Sequence, residues 1–136
     1  MPLNGQKEEF KGSRFTRIKN KQEVYLLGFT WDTIMSAIAK QQKEKGESFV
    51  SEAKATLAKK TWFSSGTEQK NEDAAELYQK AANAFKVGSY FTEAGDAYAQ
   101  AAAIYKGALK NGIEASKCMT ESGRCHHIFS YLTTLV

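Results

Sequence analysis

Asp73-Ala74-Ala75-Glu76-Leu77-Tyr78-Gln79-Lys80-Ala81-Ala82-Asn83-Ala84-Phe85-Lys86 can be laid over Glu93-Ala94-Gly95-Asp96-Ala97-Tyr98-Ala99-Gln100-Ala101-Ala102-Ala103-Ile104-Tyr105-Lys106 at an offset of 20 residues. Both copies read acid, alanine, small residue, then tyrosine, an Ala-Ala pair, an aromatic and a lysine. Alanine is the best helix former, and the Tyr78/Phe85 and Tyr98/Tyr105 pairs recur at a spacing of seven, which places each pair on one helix face. Ala74, Ala81, Ala82, Ala94, Gly95, Ala101 and Ala102 are small where helices must approach closely, while the aromatics fill the space between layers. No such helix buries its apolar face alone, so repetition predicts stacking. Two units make a hairpin of about forty residues, in the range of helical repeats. The expected fold is all-α: TPR-like antiparallel helical hairpins, a fragment of an α-solenoid, with an irregular N-terminal extension.

Outward from this pair the pattern weakens. A third copy is read from Glu114, with Ala115-Ser116, Met119, Ser122 and Gly123 at the equivalent places. Gly88, Gly107 and Gly112 are the expected helix stops. Upstream, Phe49, Ala53 and Leu57 recur every four residues, with Val50, Ala58 and Trp62 widening the stripe, which predicts a helix from Ser48 to about Lys60. Lys59 and Lys60 would oppose the dipole at its end. Ser64-Ser65-Gly66-Thr67 reads as a break that follows two aromatics, Trp62 and Phe63. Residues 1–47 differ in character. They carry a β-prone run from Val24 to Phe29, then Asp32 as a cap for a short helix bearing Ile34, Met35 and Ile38, and a linker near Gly46. The last stretch, residues 125–136, has no alanine and no acid and is rich in β-branched and aromatic residues. The expected organisation is an extension over 1–47, repeats over 48–124 and a divergent tail over 125–136.

Composition narrows the function. Hydrophobic content of 42% and charged content of 25% are ordinary for one globular domain of 136 residues. The net charge of +4 divides unevenly: residues 1–47 carry +3 and residues 48–136 carry +1. A nearly neutral body argues against a nucleic-acid-binding face on the repeats. The apolar run from Val24 to Ala39 contains Asp32 and is shorter than the roughly twenty residues of a membrane span. With no apolar leader at the start, a reducing, cytoplasmic compartment is expected. Catalysis finds no foothold: there is no G-x-S-x-G, no phosphate-cradling loop, and the only histidines are adjacent in the tail.

At this point Ser51-Glu52-Ala53-Lys54, the Trp62-Phe63-Ser64-Ser65-Gly66 loop and the Ala74–Lys86 run resemble the N-terminal part of the soluble NSF attachment proteins of the alpha/beta type. The likeness continues through Ala94-Gly95-Asp96-Ala97-Tyr98 to Ala115-Ser116-Lys117-Cys118. It spans the first quarter to third of a typical member. The resemblance implies a non-enzymatic adaptor without a cofactor. Such an adaptor wraps an assembled SNARE four-helix bundle, recruits a hexameric NSF-type ATPase and works in vesicle transport and membrane fusion. It also implies a peripheral membrane contact through the loop holding Trp62 and Phe63. The family's second aromatic/leucine pair is replaced here by Ser65-Gly66-Thr67-Glu68, which predicts weaker membrane affinity. Lys80 and Lys86 fall on basic positions of the pattern and are the expected SNARE-facing residues, whereas one further basic position is Ser89. The family's ATPase-contacting end is C-terminal to the matched part, so no activation of the ATPase is expected. The change of composition at both ends is what a splice variant or an erroneous gene assembly would produce.

Each sharper reading has a plainer rival. A generic TPR-like interaction module, or a fragment with no function of its own, competes with the adaptor. Trp62 and Phe63, taken without the family, read as a hydrophobic plug packed back on the first hairpin; the resemblance tips the balance to a membrane-dipping tip. Cys118, Cys125, His126 and His127 lack the short paired spacing of zinc ligands, and Cys118 reads as a small hydrophobe. Lys11, Arg14, Arg17, Lys19 and Lys21, interleaved with Phe10, Phe15 and Ile18, read as a solvated arm, with contact to acidic phospholipid or nucleic acid as the alternative.

Overall fold

A computed structural model describes residues 21–62 and 64–135. Four helices follow one another: α1 (Lys21–Ala58), α2 (Ser64–Val87), α3 (Phe91–Gly107) and α4 (Gly112–Thr134). The chain divides into two units between Ala37 and Ile38, and the repeats belong to the second.

The aligned pair forms α2 and α3, and its small residues do what their size permits. Ala74, Ala81, Ala82, Ala94 and Ala101 have no exposed surface, and Ala102 has almost none. One apolar cluster gathers Ala81, Ala82, Phe85, Ala94, Ala97, Tyr98 and Cys125; the other gathers Ala53, Tyr78, Ala101, Ala102 and Cys118. Phe49 and Val50 of α1 pack on the first cluster, Val50 and Leu57 on the second, so α1 and α2 form the first hairpin. Burying aromatics the size of Tyr78, Phe85 and Tyr98 stabilises the stack by about 1.5–3 kcal/mol each.

The period of twenty continues into α4, one residue out of step with the expected third copy. Cys118 takes the place of Tyr78 and Tyr98, Ser122 that of Ala82 and Ala102, and Cys125 that of Phe85 and Tyr105; all three are buried. Met119, expected in the core, is exposed, as is Gly123. Cys125 is the largest fully buried side chain among the described residues. The expected tail therefore begins on a core position. Nothing in its sequence stops a helix either, since β-branched residues lower helix propensity by only a few tenths of a kcal/mol each, far less than proline.

The N-terminal expectations are corrected in the same direction. α1 runs without a break through Val24–Phe29, Asp32 and Gly46. Strand propensity describes fitness for a pleated, half-buried surface, and no neighbouring strand is present among the described residues to supply one. Asp32 is therefore an interior residue, not a cap. Gly46 is no linker: it is buried, and the Phe85 ring occupies the space its Cβ would need, with a would-be separation of 2.7 Å.

Helix ends also differ from the glycine rule. The residues in the left-handed region are Ser89 (φ 66°) and Lys110 (φ 50°), and no glycine among the described residues has positive φ. At the end of α2, Tyr90 N–H donates to Phe85 O (2.8 Å) and Ser89 N–H to Lys86 O (3.0 Å). This is the Schellman pattern, with Tyr90 packing on the cluster that holds Phe85. α4 starts on Asn111, whose side chain accepts from Glu114 N–H at 3.2 Å.

Candidate interaction site

The connection between α1 and α2 is short and fastened on both sides. α1 ends at Ala58, so Lys59 and Lys60 lie beyond its last turn. The cation that meets its carbonyl end comes from α2 instead: Lys70 Nζ donates to Leu57 O (3.2 Å) and Lys59 O (3.1 Å). Those carbonyls have no partner within the helix, so a cation there satisfies both hydrogen bonding and the dipole. Thr61 and Thr67 close the loop with a hydroxyl–hydroxyl bond of 2.7 Å, and α2 begins at Ser64, inside the expected break. Trp62 stands at the tip of this clasp, 93% exposed, with Lys59 and Lys60 exposed beside it. Trp62 does not pack back as a plug. Phe63 lies outside the described residues.

Lys80 and Lys86 are both on α2, but their surroundings differ. Lys80 is exposed. Lys86 is half-buried and paired across the stack: its Nζ donates to Glu121 Oε2 of α4 at 3.1 Å and sits 5.6 Å from the centre of the Tyr98 ring. Burial works against its charged form, yet the Glu121 hydrogen bond and nearby negative charge outweigh it, and Lys86 titrates above the ordinary lysine value. Glu121 in turn lies below the ordinary carboxylate value, chiefly through the hydrogen bond from Lys86, aided by Arg124 at 2.7 Å. The family resemblance marks both lysines as basic positions, and packing distinguishes the exposed Lys80 from the ion-paired Lys86.

A cleft of about 340 Å³ opens between α1 and α3. Val50, Tyr78, Phe85 and Ala97 form its apolar lining, and Lys54, Glu93, Asp96 and Gln100 its polar one. The sequence gives little sign of it, because its members come from three helices and its apolar members belong to or pack on the core clusters. On α4, Ser122 Oγ donates to Gly95 O at 2.8 Å, and Gln79 Nε2 of α2 donates to Tyr105 OH (3.3 Å) and Cys118 Sγ (3.2 Å). These bonds lock α4 to the hairpin before it. Burial raises both cysteine thiols above their usual titration range, so they stay protonated and inert at neutral pH. The two belong to different apolar clusters, and among the described residues no three His, Cys, Asp or Glu side chains converge as metal ligands.

A family model described as soluble NSF attachment protein, SNAP, matches residues 44–130. The match begins inside α1, takes in the Trp62 connection and all of α2 and α3, and ends six residues beyond Arg124, so Cys125 falls within it. No curated protein and no solved structure gives a match. Among the described residues no helix is long and apolar enough to cross a membrane.

Proposed function

Because the chain belongs to the soluble NSF attachment protein family, we propose that it is a SNARE-complex-binding adaptor in intracellular vesicle transport and membrane fusion. The observation that carries this reading is the family match over residues 44–130, which coincides with the stacked helices and the loop bearing Trp62. The mechanism is non-covalent. Lys80 offers a solvated positive charge to the acidic surface of an assembled SNARE bundle, while Lys86 is spent on Glu121 and holds α2 to α4. Trp62, with Lys59 and Lys60 beside it, keeps the adaptor near the cytoplasmic face of a bilayer, where aromatic and basic residues together favour the interface. The family's ATPase partner is the NSF-type enzyme, and the 136 residues alone are expected to bind SNAREs without stimulating it.

Pull-down of the chain with an assembled SNARE bundle, against the same helices unassembled, tests this reading. Preference for the assembled bundle is expected, with Lys80→Glu weakening it about fivefold, the effect of about 1 kcal/mol from an exposed charge pair. Binding indifferent to SNARE assembly and to salt would instead favour a general TPR-like peptide-binding module. The cleft between α1 and α3, with apolar and charged walls, is the feature that would serve such a module.

A further inference from the structure

The part of α1 before the family match carries a row of exposed apolar side chains among the described residues. Trp31 is 63% exposed, Ile34 45% and Met35 48%, and Ile38 continues the spacing at 40%. Positions 31, 34, 35 and 38 fall on one side of a helix, whereas Asp32, Thr33 and Ser36 fall on the other. A contiguous exposed apolar stripe is a feature that monomeric proteins rarely carry without a use. In sequence, the stripe follows a dense basic run: Lys11, Arg14, Arg17, Lys19 and Lys21, with no acid from Phe10 to Gln22.

We infer that the stretch of α1 around Trp31 lies on an anionic lipid surface, as a second membrane contact separate from the Trp62 loop. Charge and hydropathy point to this occupant together. Each basic residue near an anionic leaflet contributes about 1 kcal/mol, and an apolar stripe supplies the second signal that stable attachment needs. Tryptophan is enriched at the membrane–water interface, where its ring is half apolar and half polar. The helix lies along the surface and does not cross it, since no described helix is apolar enough to span. A nucleic acid would engage the basic run but leave Trp31, Ile34 and Met35 in water. A second copy would cover the stripe but offer the basic run no acidic partner, since that run has no acid from Phe10 to Gln22. An anionic bilayer satisfies both features. Residues 1–43 are outside the family match, so this inference does not rest on the SNARE reading.

The chain contains two tryptophans, Trp31 and Trp62, which makes the two contacts separable. In a Trp62→Phe variant the remaining emission comes from Trp31 alone, and in Trp31→Phe from Trp62 alone. Phosphatidylcholine vesicles with phosphatidylserine are expected to shift the Trp31 emission to the blue, and phosphatidylcholine alone to do so far less. Ile34→Ser with Met35→Ser, at unchanged helix content, should lower flotation on the anionic vesicles about tenfold or more. Arg14→Gln with Arg17→Gln and Lys19→Gln leaves the helix stripe intact and should remove the preference for phosphatidylserine. Trp31 emission unchanged by anionic vesicles overturns the inference. So does a blue shift that follows protein concentration in the absence of vesicles, which would mark self-association.

Discussion

Two glycines show how much the neighbour of a missing side chain matters. A Cβ at Gly46 would stand 2.7 Å from the Phe85 ring, and Phe85 is only 4% exposed, in a cluster built from α1, α3 and α4 as well as its own helix. A Cβ at Gly95 would stand 2.6 Å from the His126 ring, but that side chain is 44% exposed, meets the exposed Asp96 at 3.5 Å and has room to shift toward solvent. Both glycines are helical, so alanine gains about 0.5–1 kcal/mol of backbone entropy at either position. Overpacking against an immovable ring costs about 1–3 kcal/mol, which decides the sign at Gly46. Gly46→Ala is expected to lower stability by about 1–2 kcal/mol, and Gly95→Ala to leave it within about 0.5 kcal/mol, in paired urea denaturation curves. An equal loss at both sites would show that His126 is held as firmly as Phe85.

The helices are bounded and joined by contacts that can be tuned one at a time. Ser89 ends α2 in the left-handed region, where a side chain costs about 1 kcal/mol and glycine nothing. Ser89→Gly is therefore expected to raise stability by about 0.5–1 kcal/mol in the same denaturation measurement, the gain being partly offset by glycine's greater freedom when unfolded. A loss on this substitution would mean that the Ser89 side chain makes a stabilising contact of its own. The join between α2 and α4 is pH-dependent through Lys86 and Glu121. Glu121 titrates low in the folded state, so its contribution is present above the ordinary carboxylate range and disappears as pH falls through its folded value. Lys86 titrates high, so its contribution is complete below the ordinary lysine range and disappears as pH rises through its folded value. Both groups are partly solvated, which limits the pair to about 1 kcal/mol or less. The melting-temperature gap between the chain and Glu121→Gln should be widest near neutral pH, narrow in acid as Glu121 protonates, and narrow again in strong base. A gap constant across that range would remove Lys86–Glu121 as a joint between helices.

For the molecule as a whole, the repeat reaches further than its alanines. Cys125 closes the cluster that holds Phe85 and Tyr98, and His126 touches Gly95, so the helix stack does not end at Arg124. A chain stopped after Arg124 is expected to melt with lower stability, by about 1–3 kcal/mol, the range for removing a buried hydrophobe and leaving its cavity. Unchanged stability on that truncation, read by circular dichroism, would make residues 125–136 an appendage after all. Lys80 is exposed on α2, Trp62 is exposed in the connection before that helix, and the cleft opens between α1 and α3.

The twenty-residue repeat of small and aromatic residues determined by itself that α2 and α3 are helices, that they stack, and which of their faces is buried. That information is local: helical spacing and side-chain size suffice for it. The likeness to the family was legible in the same residues. Four further matters depended on which side chain meets which neighbour across helices. Phe85 fills the space at Gly46 and lets α1 run on. Lys70 of α2 takes the place at the end of α1 expected of Lys59 and Lys60. Cys118 and Cys125, sharing no side-chain type with the tyrosines and phenylalanine they replace, still occupy the same core positions one and two repeats later. Lys86 is tied to Glu121, whereas Lys80 remains in solvent. A sequence states what each residue is, but whether a charge is free or a glycine is filled is set by partners 11 to 39 positions away, which only the folded stack brings together.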